Sequence, residues 1–342
     1  MNSIKISDKV LQWYDANRRT LPWRYEQGQI ADPYRVWLSE MMLQQTQVDT
    51  VIPYFHKFTT KWPTVNDLAK TDLDEVLHMW QGLGYYARAR NLHKCARMVA
   101  EQLNGQFPGN SVELANLPGI GPYASAAIAA IAFNVPATVV DGNVARIVSR
   151  VFGFSTPIQR NQKQIYTAAE SLTPPLRAGD YAQALMDIGS GICKPRSPEC
   201  TQCPLQQACK AYKSGTPEQF PGKLIKPSIP TRYAVAFICT NDNQILLRKR
   251  TGQKMLHGLW ELPGSDWYVD SLPELPEGIN EPYVDVKHTF SHFHLISRVV
   301  LASAIDSEYL NGSEILCNIH DFDQLALSTL TKKLLKSISF AR

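Results

Sequence analysis

The sequence predicts a mainly α N-terminal domain joined by a linker to a smaller α+β domain, on three observations. Up to about residue 213, apolar residues recur at helical spacing with almost no sustained alternation. Residues 214–231 carry four prolines and two glycines, the composition of a semi-extended linker. Beyond it, β-branched and aromatic runs alternate with turn residues, as strands do. The predicted boundaries are therefore 1–213, 214–231 and 232–342.

In chain order, helices fit residues 8–18, then a segment opened by the N-cap Asp32 and by Pro33 at the first helical position. That segment carries Val36, Trp37, Met41, Leu43 and Val48 at helical spacing and is expected to run to about Val48. Further helices fit 72–80, 86–103, 122–133, 142–152, 161–171 and 180–190. In the C-terminal part, Arg232–Thr240 and Gln244–Arg250 flank an Asn-Asp-Asn turn, a hairpin signature. Val286–Ala304 reads as strand. Phe322, Leu325, Leu330, Leu334 and Ile338 predict a final helix over about 321–338.

Composition narrows the class. With 342 residues, 44% hydrophobic and 19% charged, the chain is neither disordered nor fibrous. No apolar stretch reaches the length of a membrane span, and Met1–Ser7 lacks the apolar segment of a secretory signal. The net charge of +4 lies in the first part: 22 Lys and Arg face 18 Asp and Glu over residues 1–220, and 13 face 13 beyond. Such a balance permits a polyanion partner without requiring one. Four of the seven cysteines fall in residues 193–209, which suits a metal centre in a reducing compartment. Cys95, Cys239 and Cys317 read as small core residues.

Four motifs carry chemistry. Cys193-x6-Cys200-x2-Cys203-x5-Cys209 can close around zinc or an iron–sulfur cluster. Only Cys200 and Cys203 form the close pair usual in zinc sites, so the spacing leans away from zinc, and four filled positions suggest a structural role. Leu117-Pro-Gly-Ile-Gly-Pro-Tyr-Ala places Gly119 and Gly121 in a turn between helices, where free N–H groups can meet a phosphate. Taken alone, the phosphate reading is moderately specific, and some such turns are merely tight helix–helix connections. In Val139-Val-Asp-Gly-Asn-Val, Asp141 suits an N-cap. Glu40 shares a helix face with Val36 and Leu43, a setting that raises a carboxyl pKa toward that of a general acid, although a helix Glu ordinarily reaches solvent.

Together and in this order, these motifs resemble the helix-hairpin-helix DNA glycosylases that carry an iron–sulfur cluster, over residues 8–213. Endonuclease III-like members attack the sugar with a lysine in the helix after the hairpin. Here that position is Tyr123, and residues 98–145 contain no lysine. Glu40, the Gly82–Arg90 run and the additional C-terminal domain instead resemble the adenine DNA glycosylases, the MutY family. The resemblance implies a monofunctional enzyme that removes adenine mispaired with 8-oxoguanine or guanine in duplex DNA, in base-excision repair. Two other readings stay open: a bifunctional glycosylase/lyase, and a non-catalytic cluster-bearing DNA-binding module.

The resemblance also implies site residues. Glu40 would protonate adenine and Asp141 would stabilise the cationic sugar, with Tyr123 and Asn143 in support. Gln45, Thr46, Leu83 and Tyr85 would hold the DNA near the mispair; without the family they read as a helix-end amide and hydroxyl and as core apolars. Arg19, Trp23, Arg24 and Gln183 would enclose the flipped adenine. The four cysteines would hold one [4Fe-4S] cluster.

Gly258-Leu-Trp-Glu-Leu-Pro-Gly264 resembles the start of a Nudix box. The carboxylate-bearing helix that would hold magnesium is missing from Ser265–Pro276, so pyrophosphatase activity is not expected. Phe290, Ser291 and His292 match the family's 8-oxoguanine recognition loop, with Ser291 bonded to the oxidised base. The histidines at 288, 292 and 294 read as strand residues rather than metal ligands. A monomer is expected, cytoplasmic and associated with the nucleoid through DNA.

Overall fold

The computed structural model describes residues 3–26, 28–224, 228–252, 255–275, 283–302, 305 and 307–337. Its helices, in chain order, are α1 (Ser3–Asn17), α2 (Pro33–Leu43), α3 (Val48–Lys61), α4 (Val65–Lys70), α5 (Leu73–Met79), α6 (Ala87–Gln102), α7 (Ser111–Leu114), α8 (Pro122–Phe133), α9 (Gly142–Phe152), α10 (Gln162–Glu170), α11 (Ala178–Asp187), α12 (Lys210–Lys213) and α13 (Thr329–Lys336). The strands are β1 (Thr231–Ile238), β2 (Thr240–Asn241), β3 (Gln244–Lys249), β4 (Trp260–Glu261), β5 (Tyr283–Thr289), β6 (His294–Leu301) and β7 (Glu314–Asn318). Two compact units result. The first comprises Met1–Lys70 with Lys94–Ile225, and the second Thr71–His93 with Lys226–Arg342.

In the first unit, Asp32 caps α2 by accepting the Tyr34 N–H at 2.9 Å, with Pro33 at the first helical position. The helix buries Trp37, Leu38, Met41 and Met42 completely. It ends at Leu43, short of the expected Val48, because Gln45 turns left-handed at φ 57°. Val48 opens α3 instead, a helix whose buried Val51, Phe55 and Phe58 outweigh the cost of Pro53 inside it.

The alanine-rich α8 packs against both α2 and α11. A Cβ on Gly179 would lie 2.6 Å from the Ala130 carbonyl, so α11 can approach α8 only with glycine there. A second core gathers Val10, Val144, Val148, Ile165, Leu185 and Ile188 from α1, α9, α10, α11 and the turn after α11. There the chain loosens into a π-helical turn, Ile188–Ile192, where a regular helix to residue 190 was expected.

In the second unit, one sheet has the order β1-β6-β5, with β1 and β6 parallel and β5 and β6 antiparallel. The other is built on β3, which pairs with β2, β4 and β7. The expected hairpin is therefore corrected: β1 pairs with the distant β6, and only Thr240–Asn241 turns back onto β3. The inner faces of both sheets bury Ala236, Ile245, Leu247, Leu295 and Val299 against Leu330 and Leu334 of α13. The expected C-terminal helix divides into a 3-10 segment, Ile319–Gln324, and α13, because Ser328 caps the Thr331 N–H at 2.9 Å. Ile338 lies outside the described residues, as do Ala304 of the expected strand and Pro276.

Candidate active site

Glu40 sits in the last turn of α2 and is only 5% exposed. Loss of hydration raises its carboxyl to a pKa of about 7. A hydrogen bond from the Tyr123 hydroxyl opposes the rise, as does the charge of Arg24, and the Asp141 carboxylate adds to it. Tyr123 is the second residue of α8. It reaches this position because the Leu117–Gly121 turn reverses the chain through Gly119, at φ 78°. Gly121 caps α8 without any side-chain hydrogen bond, leaving helix-start N–H groups for another acceptor. Burial and the two carboxylates push the Tyr123 hydroxyl well above its ordinary pKa, so it keeps its proton and can donate it in a hydrogen bond to the ionised Glu40.

Asp141 does act as an N-cap: its Oδ1 accepts the Val144 N–H at 2.7 Å. Its Oδ2 accepts from Asn143 Nδ2 at 3.0 Å, so the cap also fixes the carboxylate's orientation. Asn143 in turn accepts from Arg146 at 2.9 Å.

These four side chains share the wall of a cavity of about 400 Å³ with Arg19, Trp23, Arg24 and Gln183. Gln45 and Thr46, in the turn between α2 and α3, line it too. A broader cavity of about 1060 Å³ also contains Glu40, Gln45, Tyr123 and Asp141, and it opens toward Lys163 and Tyr166 of α10. Asp187, which the sequence reading passed over, also lines the smaller cavity, and both its oxygens hold the Arg24 guanidinium. Its position four residues after Gln183 on α11 is the signal that could have found it.

Cys193, Cys200, Cys203 and Cys209 are half-buried in the stretch of chain after α11. Each of the last three is held above the ordinary thiol range, chiefly by burial, with Cys193 contributing in every case. Among the described residues, no group of His, Cys, Asp or Glu closes around a single metal ion. The donor set nevertheless fits a cluster bound through four separate sulfurs. The buried Arg150 supports it, donating to Cys193 Sγ at 3.3 Å and to the carbonyls of Lys194 and Phe220 at 2.8 and 3.0 Å. One turn earlier on α9, Arg146 donates to the Cys193 carbonyl at 2.7 Å and to the Gly189 carbonyl at 2.6 Å.

The remaining site residues lie in the second unit. Leu83 is buried, whereas Tyr85 is exposed and left-handed at φ 47°. Gly82 and Gly84, both at positive φ, flank Leu83, and Arg88 ties the turn by donating to the Leu83 and Gly84 carbonyls. Ser291 and His292 are exposed at the β5–β6 turn, and Phe290 is half-buried beside them. The Tyr85 hydroxyl and Ser291 Oγ are 2.5 Å apart.

Comparison with known proteins gives a consistent picture. Residues 38–175 match the family described as HhH-GPD superfamily base excision DNA repair protein, and residues 234–337 match the NUDIX domain. The chain is 35% identical to the adenine DNA glycosylase of Buchnera aphidicola subsp. Acyrthosiphon pisum, covering 98% of each chain. It is 33% identical to the adenine DNA glycosylase of Homo sapiens, over 96% of this chain and 72% of that one. Among solved structures, a thermostable thymine-DNA glycosylase superposes with a TM-score of 0.56 at 31% identity, covering 62% of this chain and 97% of that one. An endonuclease III bound non-covalently to DNA superposes with a TM-score of 0.53 at 22% identity, over 63% and 98%, which speaks for the fold alone.

Proposed function

The chain belongs to the adenine DNA glycosylases, base-excision repair enzymes, and from that premise we propose that it hydrolyses the N-glycosidic bond of adenine mispaired with 8-oxoguanine or guanine, without a lyase step. The observation that carries this reading is the buried Glu40, at a pKa of about 7, beside a tyrosine that keeps its proton. An acid of that strength is protonated often enough at neutral pH to give up its proton, and its conjugate base is strong enough to take one back.

The target adenine leaves the duplex, at an unstacking cost of a few kcal/mol, and enters the cavity formed with Arg19, Trp23, Arg24 and Gln183. Glu40 transfers its proton to an adenine ring nitrogen. The bond between C1′ and the base breaks, and its electron pair leaves with adenine. The Asp141 carboxylate, held by Val144 N–H and Asn143, stabilises the oxocarbenium-like sugar. Glu40, now ionised, takes a proton from water as the oxygen bonds to C1′, which restores the acid. With tyrosine at position 123 the chain offers no amine there to form a Schiff base.

Gly119 and Gly121 present helix-start N–H groups to a phosphate, and Gln45, Thr46, Leu83 and Tyr85 hold the duplex around the mispair. Ser291, with Phe290 and His292, reads 8-oxoguanine on the opposite strand. Cys193, Cys200, Cys203 and Cys209 hold one [4Fe-4S] cluster. Bound there, it supplies a rigid covalent staple across the loop, and the proton transfers above belong to the side chains. We assign the glycosylase part to residues 1–213, the linker to 214–231 and the lesion-reading part to 232–342. The working form is a monomer on double-stranded DNA, in the cytoplasm and at the nucleoid. No described helix is long and apolar enough to cross a membrane.

The test uses end-labelled duplexes with adenine opposite 8-oxoguanine, guanine or thymine, analysed with and without hot alkali. Strand breaks that need alkali and arise only opposite 8-oxoguanine and guanine support the proposal. Breaks without alkali would favour a glycosylase/lyase, and specific binding without base release a non-catalytic module.

A further inference from the structure

In place of a carboxylate-bearing helix after Gly264, residues 264–268 run along β1. Tyr233 and Tyr268 exchange both backbone hydrogen bonds at 2.8 Å, and the Ser265 N–H donates to the Val235 carbonyl at 3.0 Å. A Cβ on Gly264 would stand 2.3 Å from the Val235 carbonyl, so only glycine allows so close an approach.

This anchored segment sets Trp267 against the β5–β6 turn. Its ring stacks on Phe290 with centroids 5.4 Å apart and planes 30° from parallel, and it meets Phe293 at 5.4 Å. Phe290 and Phe293 contact each other at 4.9 Å, and the Phe290 N–H donates to the Phe293 carbonyl at 2.9 Å, closing the turn. Charge also holds the assembly. The Arg250 guanidinium lies 4.5 Å from the Trp267 ring centre and is itself bound by Glu261 at 2.7 Å. Ser291 and His292 are the exposed tip of this turn, with Phe290 as its root.

We propose that Trp267 is a positioning residue for 8-oxoguanine discrimination: by stacking on Phe290, it holds the turn that carries Ser291 in the conformation that meets the oxidised base. The segment where a Nudix hydrolase would place its metal-binding helix has become a brace for base reading. Glu261, bonded to Arg248 as well as to Arg250, belongs to the same brace.

The inference rests on the reading of Ser291 given above, and the experiment separates the two. Base-release rates are measured for adenine opposite 8-oxoguanine and opposite guanine, for the full-length enzyme and for Trp267→Ala, Trp267→Leu, Trp267→Phe and Ser291→Ala. Loss of one positioned hydrogen bond is expected to lower the 8-oxoguanine-to-guanine ratio about fivefold in Ser291→Ala. The same loss is expected in Trp267→Ala and Trp267→Leu, with an unchanged rate opposite guanine. Trp267→Phe, which can still stack, is expected to restore the ratio. A full ratio in Trp267→Leu beside a lowered one in Ser291→Ala overturns the role of Trp267. A full ratio in Ser291→Ala overturns the reading of Ser291 instead. If Trp267→Ala fails to fold, by circular dichroism, the comparison of Trp267→Leu with Trp267→Phe decides: equal ratios for these two overturn the proposal.

Discussion

Asp187 holds the guanidinium of Arg24 with both carboxylate oxygens, at 2.6 and 2.8 Å, and both side chains are nearly excluded from solvent. This fork fixes a cation in the wall of the cavity that also contains Glu40. Removing one member of such a pair strands the other, at a cost of about 3–5 kcal/mol. Asp187→Asn is therefore expected to lower unfolding stability by about that amount. The double variant Arg24→Gln/Asp187→Asn should recover part of it. Urea unfolding of the two single variants and the double gives the coupling. Strictly additive losses would mean that the fork contributes nothing beyond its separate residues.

The carboxyl of Glu40, at about 7, predicts how base release depends on pH. The proposed reaction needs the protonated form, so kcat/KM is expected to fall as pH rises through about 7, approaching tenfold per unit above it. The Tyr123 hydrogen bond holds that pKa down. Tyr123→Phe should accordingly move the alkaline limb to higher pH. The Asp141 charge raises it, so Asp141→Asn should move the limb to lower pH while also slowing the reaction. Rates at subsaturating duplex across pH 5–9 are the measurement. A limb that stays in place in both variants would assign the titration to another group.

The parts legible in the sequence were those set by local chain chemistry. A glycine-bearing turn, the N-cap Asp141 and four cysteines in one loop each declare themselves within a few residues. The division into a helical part and an α+β part followed from periodicity, and the HhH-GPD and NUDIX matches agree with it. Long-range pairing did not show. β1 is an apolar run buried continuously from Ala234 to Ile238, but its partner is β6, and such a run carries no record of which strand will pair. Helix α3 was hidden by Pro53, whose penalty is a local property, whereas the burial of Phe55 and Phe58 is not. Asp187 escaped for a similar reason: Arg24 lies far away in the chain, and an acidic residue at a helix end has an ordinary explanation.

A buried acid held at a pKa of about 7 also costs stability once ionised, which yields a prediction about folding. In the unfolded chain Glu40 titrates near its ordinary 4.5. The folded protein therefore binds this proton more tightly, and stability falls as pH rises from about 4.5 through about 7. Above that range the accumulated penalty is on the order of 3 kcal/mol, from 1.36 kcal/mol per unit. Glu40→Gln keeps the shape without the charge. It is expected to melt above the parent enzyme at pH 8, with the difference shrinking toward pH 5, while base release is lost and duplex binding retained. Equal melting temperatures at pH 8 would mean that the ionised carboxylate is solvated, and would remove the basis for its raised pKa.

Arg146 joins the cysteine loop to the second carboxylate. Its Nε donates to the Cys193 carbonyl at 2.7 Å, and one terminal nitrogen reaches both Gly189 O and Asn143 Oδ1, at 2.6 and 2.9 Å. Asn143 passes the constraint to Asp141 Oδ2 at 3.0 Å. Gly189 belongs to the same junction, since a Cβ there would lie 2.5 Å from the Asn143 Cβ. The planar fork makes three bonds in fixed directions, which the single ammonium of lysine cannot reproduce. Arg146→Lys keeps the charge and loses the geometry, so Asp141 should be held less precisely. A displacement of about 1 Å at a reacting centre can cost up to about a hundredfold in rate. The expected outcome is a single-turnover base-release rate reduced about ten- to a hundredfold, with affinity for an uncleavable duplex changed by less than about threefold. Iron content per chain, measured alongside, distinguishes misplacement of Asp141 from loss of the proposed cluster. Full activity in Arg146→Lys would show that the Asp141 cap and the core beneath α9 hold the carboxylate without help from the loop.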